Sequence, residues 1–358
     1  MKNTLLGLSC AAILALSSCG KDNNPSGTQT TAVDEQEVIT QFVSVVGNPN
    51  YVDIQAKATL LNTSITTFLA TPTDANLTAA RVAWKNTRQP WEQAEGFLFG
   101  PVEDENYDPT MDSWPLNRTD VDALIGSSDV ITLSYVDGLD GFSKGFHGIE
   151  YIIFGPGGTR KAADITARQK DYLKFTSQSL LNTTTALMNS WAASGDNYAA
   201  KITTAGNGST AFKTRKELFT TIVTQMAGIC EEVGTGKMAE PFTERDSTKD
   251  ESSYSHNTTT DFINNIQGVL NVYTATYNGT KGTTSLSALV ASKNLALDTK
   301  IKTQIQTALS SMALITPTFE KAIYDNRDKI SNSQTALATL QATLEGDLTT
   351  FIQTNIKD

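Results

Sequence analysis

Only two histidines occur in the 358 residues of this chain, His147 and His256. A hydrolytic zinc normally takes three protein ligands and keeps a water position, and no HExxH string is present to supply them. Cysteine is almost as scarce, with Cys10, Cys19 and Cys230. Basic charge is in deficit, 28 Lys and Arg against 38 Asp and Glu, a formal net charge of -10. That balance argues against nucleic acid and against charge-driven binding to anionic lipid, and it is compatible with gathering cations. Strand-like alternation is weak throughout, and residues 130–133 are the one ambiguous segment. No fixed-period repeat occurs, which argues against a solenoid. Beyond the N-terminus no run is apolar enough to cross a membrane as a helix.

What the N-terminus does have is a processing signal. Met1 and Lys2 precede a short apolar segment from Leu5 to Leu16, and Leu16-Ser17-Ser18-Cys19 resembles a bacterial lipobox. Residues 1–18 are therefore expected to be a lipoprotein signal peptide, with Cys19 lipidated. Residues 19–33 read as a flexible tether, since Gly20 to Thr28 is polar and rich in turn formers. Gly20 rather than Asp after the cysteine favours the outer membrane. With Cys10 and Cys19 accounted for, Cys230 is the one thiol left and no internal disulfide is expected. It falls in the apolar pattern Ile222, Val223, Met226, Ile229, Cys230, which marks buried filler.

The remaining chain is helical by periodicity. Apolar residues recur at three and four from Val33 to Val46 and from Tyr51 to Leu69, interrupted by Gly47-Asn48-Pro49. Thr73 or Asp74 caps the next helix, in which Pro90 should force a kink or a restart. Further long helices are expected over 164–191, 210–233, 257–277, 285–314 and 331–356. Residues 100–117 and 234–256 read as long charged loops, and Gly155-Pro156-Gly157-Gly158 as a sharp stop. Glycines around 195–208 mark the midpoint. The expected class is all-α, with two bundle-like halves over residues 34–200 and 201–358.

Three groups of residues carry chemistry. Gly145-Phe146-His147-Gly148-Ile149-Glu150 places His147 and Glu150 three apart, on one helical face, where a single ion can touch both. The plainer reading is an imidazole hydrogen-bonded to its neighbouring carboxylate. Trp84, Arg88, Trp91 and Glu95 share a second stripe, and charges buried there need partners. Either Arg88 pairs with Glu95, or Glu95 is a ligand beside His147 and Arg88 orients it or binds an anion. Glu251 to Thr258 reads as a set of hydroxyls and amides capping a helix, with Asn257 and Thr258 at its start. His256 is expected to be a loop residue, and Asp261 and Asn265 to form one wall of a cleft between the halves.

Taken together, Trp84 to Pro101, Trp114-Pro115, Gly145 to Phe154 and Ser253 to Gly268 resemble the imelysin family. Its GxHxxE hallmark is matched by Gly145, His147 and Glu150, and the likeness extends over roughly residues 35 to 355. The resemblance implies an all-helical protein of two bundle-like halves with the motif near the crevice between them. It also implies a periplasmic or outer-membrane location and a link to iron supply, in a family first labelled as metallopeptidases.

These readings converge on a lipid-anchored cell-envelope protein that binds a metal ion, iron favoured over zinc, without hydrolytic turnover. The expected metal ligands are His147, Glu150, Glu95 and Asp112, a one-nitrogen and otherwise oxygen set suited to iron or zinc. Arg88, Trp114, Ser253 and Asp261 are the expected ligand-binding residues. The membrane, through the lipid, and iron-uptake components are the expected partners. A metallopeptidase is the alternative, and a module holding a small anionic or peptide ligand without metal is a third reading.

Overall fold

The computed structural model describes residues 33–357. The expected signal peptide, Cys19 and all of the tether except Val33 lie outside the described residues. Asp34 opens α1 (Glu35–Gln41) by accepting from the Gln36 amide at 3.0 Å. A wide π turn over Phe42–Gly47 leads directly into α2 (Asn48–Ala70), with Pro49 in its first turn. The break expected at Gly47-Asn48-Pro49 is thus a change of pitch: the backbone stays helical through Gly47, the Asn48 amide reaches back to the Val43 carbonyl, and the wide turn accommodates the N–H that Pro49 lacks. Thr73 caps α3 (Asp74–Ala94), accepting from the Asn76 amide at 3.2 Å. Pro90 lies inside α3 and does not restart it. Its carbonyl accepts from the buried Asn50 side chain on α2 at 3.0 Å, which ties the two helices at that point.

The 100–117 stretch, expected as a loop, holds two short helices, α4 (Pro101–Asp104) and α5 (Tyr107–Asp112). Next come α6 (Arg118–Gly126) and α7 (Leu133–Asp137), and the ambiguous segment at 130–133 forms no strand. Helix α8 (Gly145–Phe154) stops where Gly155 turns to φ 66°. Thr166 and Gln169 form a capping box at the start of α9 (Ala167–Trp191), which α10 (Tyr198–Thr203) follows.

Helix α11 (Arg215–Glu231) runs into a second π turn, Glu232–Lys237, and then α12 (Ala239–Glu244). After α13 (Thr258–Thr274), two-residue strands β1 (Thr276–Tyr277) and β2 (Thr280–Lys281) pair antiparallel. The helix expected over 285–314 divides into α14 (Leu286–Lys293) and α15 (Leu295–Met312). Asn294 makes the division, its side chain accepting from the Leu297 amide at 3.1 Å. The chain closes with α16 (Phe319–Asp325), α17 (Arg327–Thr343), a third π turn and α18 (Thr349–Asn355). Among the described residues no helix is long and apolar enough to cross a membrane.

Helices α2, α3, α8 and α9 pack as one group, and α11, α13, α15 and α17 as a second. Trp191 anchors the first, its ring centroid 5.0 Å from Tyr51 and 5.5 Å from Tyr198. A buried ring of that size removes about 150–250 Å² from water, worth about 4–6 kcal/mol at about 25 cal/mol per Å². The two groups meet where α3 lies on α13. A Cβ at Gly268 would stand 2.3 Å from the Gln93 carbonyl oxygen, and one at Gly96 3.0 Å from the Gly268 carbonyl carbon. Backbones touch here because no side chain intervenes. That approach brings the polar residues of the two helices within hydrogen-bond reach, and the candidate site stands on it.

Candidate functional site

Helix α3 supplies Arg88 and Glu92, which pair at the helical spacing of four, and the turn after it supplies Glu95. Arg88 is fully buried, 5.0 Å over the Phe146 ring and 5.8 Å from that of Trp84. Its guanidinium also meets Asp112 at the end of α5, Glu251 at 3.2 Å and Asp261 of α13 at 3.6 Å. Asp112 is held from a second side by Trp91 Nε1, which donates to Oδ2 at 2.6 Å. The start of α8 completes the centre. Gly145 has φ 69°, and a Cβ there would lie 2.1 Å from the Met111 carbonyl oxygen. Only glycine lets α5 come this close, and the approach sets His147 Nε2 3.1 Å from Asp112 Oδ1.

His147 Nδ1 lies 3.3 Å from Glu150 Oε2, while Glu150 Oε1 accepts from the Ser255 amide at 2.8 Å. Lys237, the last residue of the second π turn, donates to Glu251 Oε1 at 2.9 Å and to Glu95 Oε2 at 3.0 Å. Asn265 of α13 donates to Glu92 Oε2 and to Glu95 Oε2, both at 2.7 Å. Asp261 accepts from Ser252 Oγ at 2.5 Å and from the Asn257 side chain at 2.7 Å. The segment bearing Glu251 is bracketed by left-handed residues, Arg245 (φ 54°) and His256 (φ 55°). Both ends are tied to α16: Tyr324 donates to the Arg245 carbonyl at 2.7 Å, and His256 Nδ1 lies 2.8 Å from Glu320.

Seven acids, Glu92, Glu95, Asp112, Glu150, Asp250, Glu251 and Asp261, thus surround or adjoin three bases, Arg88, Lys237 and His147. Negative charge is in excess, and buried charge without a counterion is expensive. The acids divide accordingly. Burial pushes Glu92, Glu95 and Asp250 well above the usual carboxylate range and Asp261 up to about 7. Burial would raise Asp112 too, but Arg88 and His147 outweigh it and hold it below its ordinary value. For His147 burial disfavours the imidazolium, yet contacts with Asp112 and Glu150 prevail and raise it to about 9.

The arrangement opens outward through a cavity of about 360 Å³, with His147, Glu150 and Glu251 on its floor and Trp114, Ser253 and Tyr254 among its walls. Of the residues expected from sequence, the structure gathers Arg88, Glu95, Asp112, His147, Glu150 and Asp261 in one buried network. It sets Trp114 and Ser253 at the adjoining cavity. His256 sits apart, at the surface. Two partnerships differ from expectation. Arg88 pairs with Glu92, not Glu95, and its remaining polar contacts are all to carboxylates, so it has no place for an anion. The 251–258 segment does not cap α13: Ser252 and Asn257 serve Asp261, and Asn257 makes no side-chain cap.

The imelysin family model matches residues 47–345. The chain belongs to the imelysin family. It is 30% identical to iron-regulated protein A of Synechococcus elongatus, across 99% of this chain and 95% of that one. A crystal structure assigned as an iron-regulated protein A precursor, from Parabacteroides distasonis, superposes with a TM-score of 0.80 at 26% identity, covering 93% of this chain and 97% of that one. An imelysin-like protein from Psychrobacter arcticum, at 15% identity, superposes with a TM-score of 0.69 over 88% and 95% of the two chains and shares the fold.

The donor set of this imelysin suits a cation. One ligand atom each from Asp112, His147 and Glu251 lies within 4.8 Å of the others, and Glu92 joins two further groupings, with Glu251 and Asp261 or with Glu95 and Asp112. Two atoms bound to one ion at about 2.1 Å each and at right angles stand about 3.0 Å apart. The 3.1 Å between His147 Nε2 and Asp112 Oδ1 matches that spacing. Both Nε2 and Glu251 Oε2 are buried without a directed hydrogen bond. Glu150, expected as a ligand, instead holds the far side of the imidazole, the usual office of a carboxylate behind a metal-bound histidine. Glu251, not Glu150, is grouped with Asp112 and His147. Glu92 is legible as the fourth residue after Arg88, whereas Glu251 reads as part of a capping segment and Lys237 carries no local signal, being an ordinary charge in a charged stretch.

Proposed function

We propose that this imelysin is a lipid-anchored protein of the cell envelope that binds a metal ion, iron favoured, in an acquisition role. Asp112, His147 and Glu251 would hold the ion, Glu150 would fix the imidazole, and Arg88 and Lys237 would balance the remaining carboxylates. The observation carrying this reading is the buried, undirected His147 Nε2 lying 3.1 Å from Asp112 and grouped with Glu251 at the cavity floor. The iron-regulated names of its relatives support iron, and the mixed nitrogen and oxygen donors suit it. The anchor reading rests on Leu16-Ser17-Ser18-Cys19, and Gly20 after the cysteine supports an outer-membrane location. Equilibrium dialysis with Fe, Zn and Cu tests the site. His147→Ala and Glu251→Gln should each weaken binding at least tenfold while circular dichroism stays native, and unchanged affinity in both variants removes the proposal.

One observation favours a metallopeptidase as the second reading. Glu150 lines the same cavity, where a general base would have to stand. Its two oxygens are already taken by Ser255 and His147, which places this reading below the first. Chelator-sensitive cleavage of unfolded casein, abolished in Glu150→Ala, would reverse that order.

A further inference from the structure

Three protein ligands leave a bound cation between one and three open positions, depending on whether it is four- or six-coordinate. The cavity above His147 is much larger than those positions require. At about 360 Å³ it holds roughly twelve water volumes of about 30 Å³ each. Such a volume lies at the lower end of the range for small-molecule sites. Its lining joins opposite chemistries: Glu251, buried and with Oε2 undonated, on the floor, and Arg118 at the side.

Arg118 is the unusual member. Its guanidinium lies 5.4 Å over the Tyr151 ring, and among the described residues no carboxylate comes within ion-pair distance of it. The Tyr151 hydroxyl beneath it donates to Asp122 at 2.6 Å, so that acid acts on Arg118 only from behind the ring. By contrast, Lys249 in the same lining is engaged by Glu240 at 2.5 Å and Glu244 at 2.9 Å. A planar guanidinium stacked on a ring and without a direct carboxylate partner can still take a bidentate carboxylate. The floor repels such an anion, so a carboxylate ligand would enter only if a cation bridged it to Glu251 and Asp112.

We infer that the cation is held together with a small chelating oxyanion of the hydroxycarboxylate class, its free carboxylate paired with Arg118. This inference rests on the metal-binding reading above and extends it to the second ligand. No bond to carbon forms or breaks; the chelate exchanges some of its oxygens for Asp112, His147 and Glu251. Calorimetry with three probes, Zn²⁺ alone, citrate alone and ferric citrate, separates the possibilities. The wild-type protein should bind Zn²⁺ and ferric citrate and should give no heat with citrate alone. Arg118→Gln, at an exposed position, should lose about tenfold to a hundredfold in affinity for ferric citrate, the loss of a charge-assisted pair, and none for Zn²⁺. His147→Ala should lose both. Ferric citrate affinity unchanged in Arg118→Gln, or zinc binding without ferric citrate binding in the wild type, overturns the inference and leaves the metal site standing. Citrate binding by itself would also overturn it, and binding of neither metal probe removes the metal reading as well.

Discussion

Arg88→Met removes the guanidinium while leaving an unbranched chain in its place. In the native fold Arg88 is 0% exposed and faces Glu92, Asp112, Glu251 and Asp261. Breaking a buried ion pair from one side destabilises a protein by about 3–5 kcal/mol, because the other charge is left unpaired. With about 2.1 cal/mol/K of unfolding entropy per residue over residues 33–357, that loss lowers Tm by about 4–7 °C. The effect must also depend on pH. Arg88 holds Asp112 below its ordinary value, so the native protein gains stability from that acid above its unfolded pKa and loses it as pH falls through the folded one. Without Arg88 the sign reverses. Burial then dominates, the folded acids take up protons that the unfolded chain has released, and stability falls as pH rises beyond the ordinary carboxylate range. Thermal unfolding of both proteins at pH 5 and pH 8, followed by circular dichroism, should give the larger deficit at pH 8. Equal melting temperatures at pH 8, or a deficit independent of pH, would refute the assignment of Arg88 as counterion to the cluster.

Other outcomes follow from the same structure. His147 is raised to about 9, so a cation taking Nε2 must displace a proton. Zinc affinity should therefore climb as pH rises from 6 toward 9, by up to about tenfold per unit, and proton release should appear as heat that varies with the buffer. A flat profile would place the metal elsewhere. Gly268→Ala inserts a Cβ 2.3 Å from the Gln93 carbonyl, and overpacking of this kind destabilises by about 1–3 kcal/mol. Urea unfolding should register that loss, and a change under about 0.5 kcal/mol would mean that α3 and α13 separate easily. Burial pushes the Cys230 thiol well above its ordinary pKa, and it donates to the Met226 carbonyl at 3.2 Å. A thiol reagent should leave it unmodified in the native protein and modify it fully in guanidinium chloride; rapid native labelling would contradict its burial.

Much of this could be read before any coordinates, and where reading stopped is instructive. The three-and-four spacing of apolar residues located the long helices, and Thr73 began its helix as capping rules predict, whereas the helix expected from 164 starts at Ala167, after its Thr166 cap. Boundaries failed where a local rule had a competitor. Asn294 caps a helix within the span from 285 to 314, and the pattern of apolar residues on either side conceals it. Pro90 looked like a break, but α3 passes through it while its carbonyl is used by Asn50 of the neighbouring helix.

Sequence alone determined that His147 and Glu150 share a face, that Arg88 lies on a stripe with two tryptophans and must find acids, and that the class is all-helical. Each follows from spacings of three or four residues, which a helix converts directly into proximity. Which acids answer Arg88 and His147 was decided only in three dimensions. Asp112 reaches His147 because glycine at 145 lets α5 come close, Asp261 reaches Arg88 because glycines at 96 and 268 let α3 touch α13, and Glu251 arrives on a segment whose ends are tied to α16. Those partners are separated by tens to more than a hundred residues, and no local periodicity carries information across such a distance; the packing of backbones does.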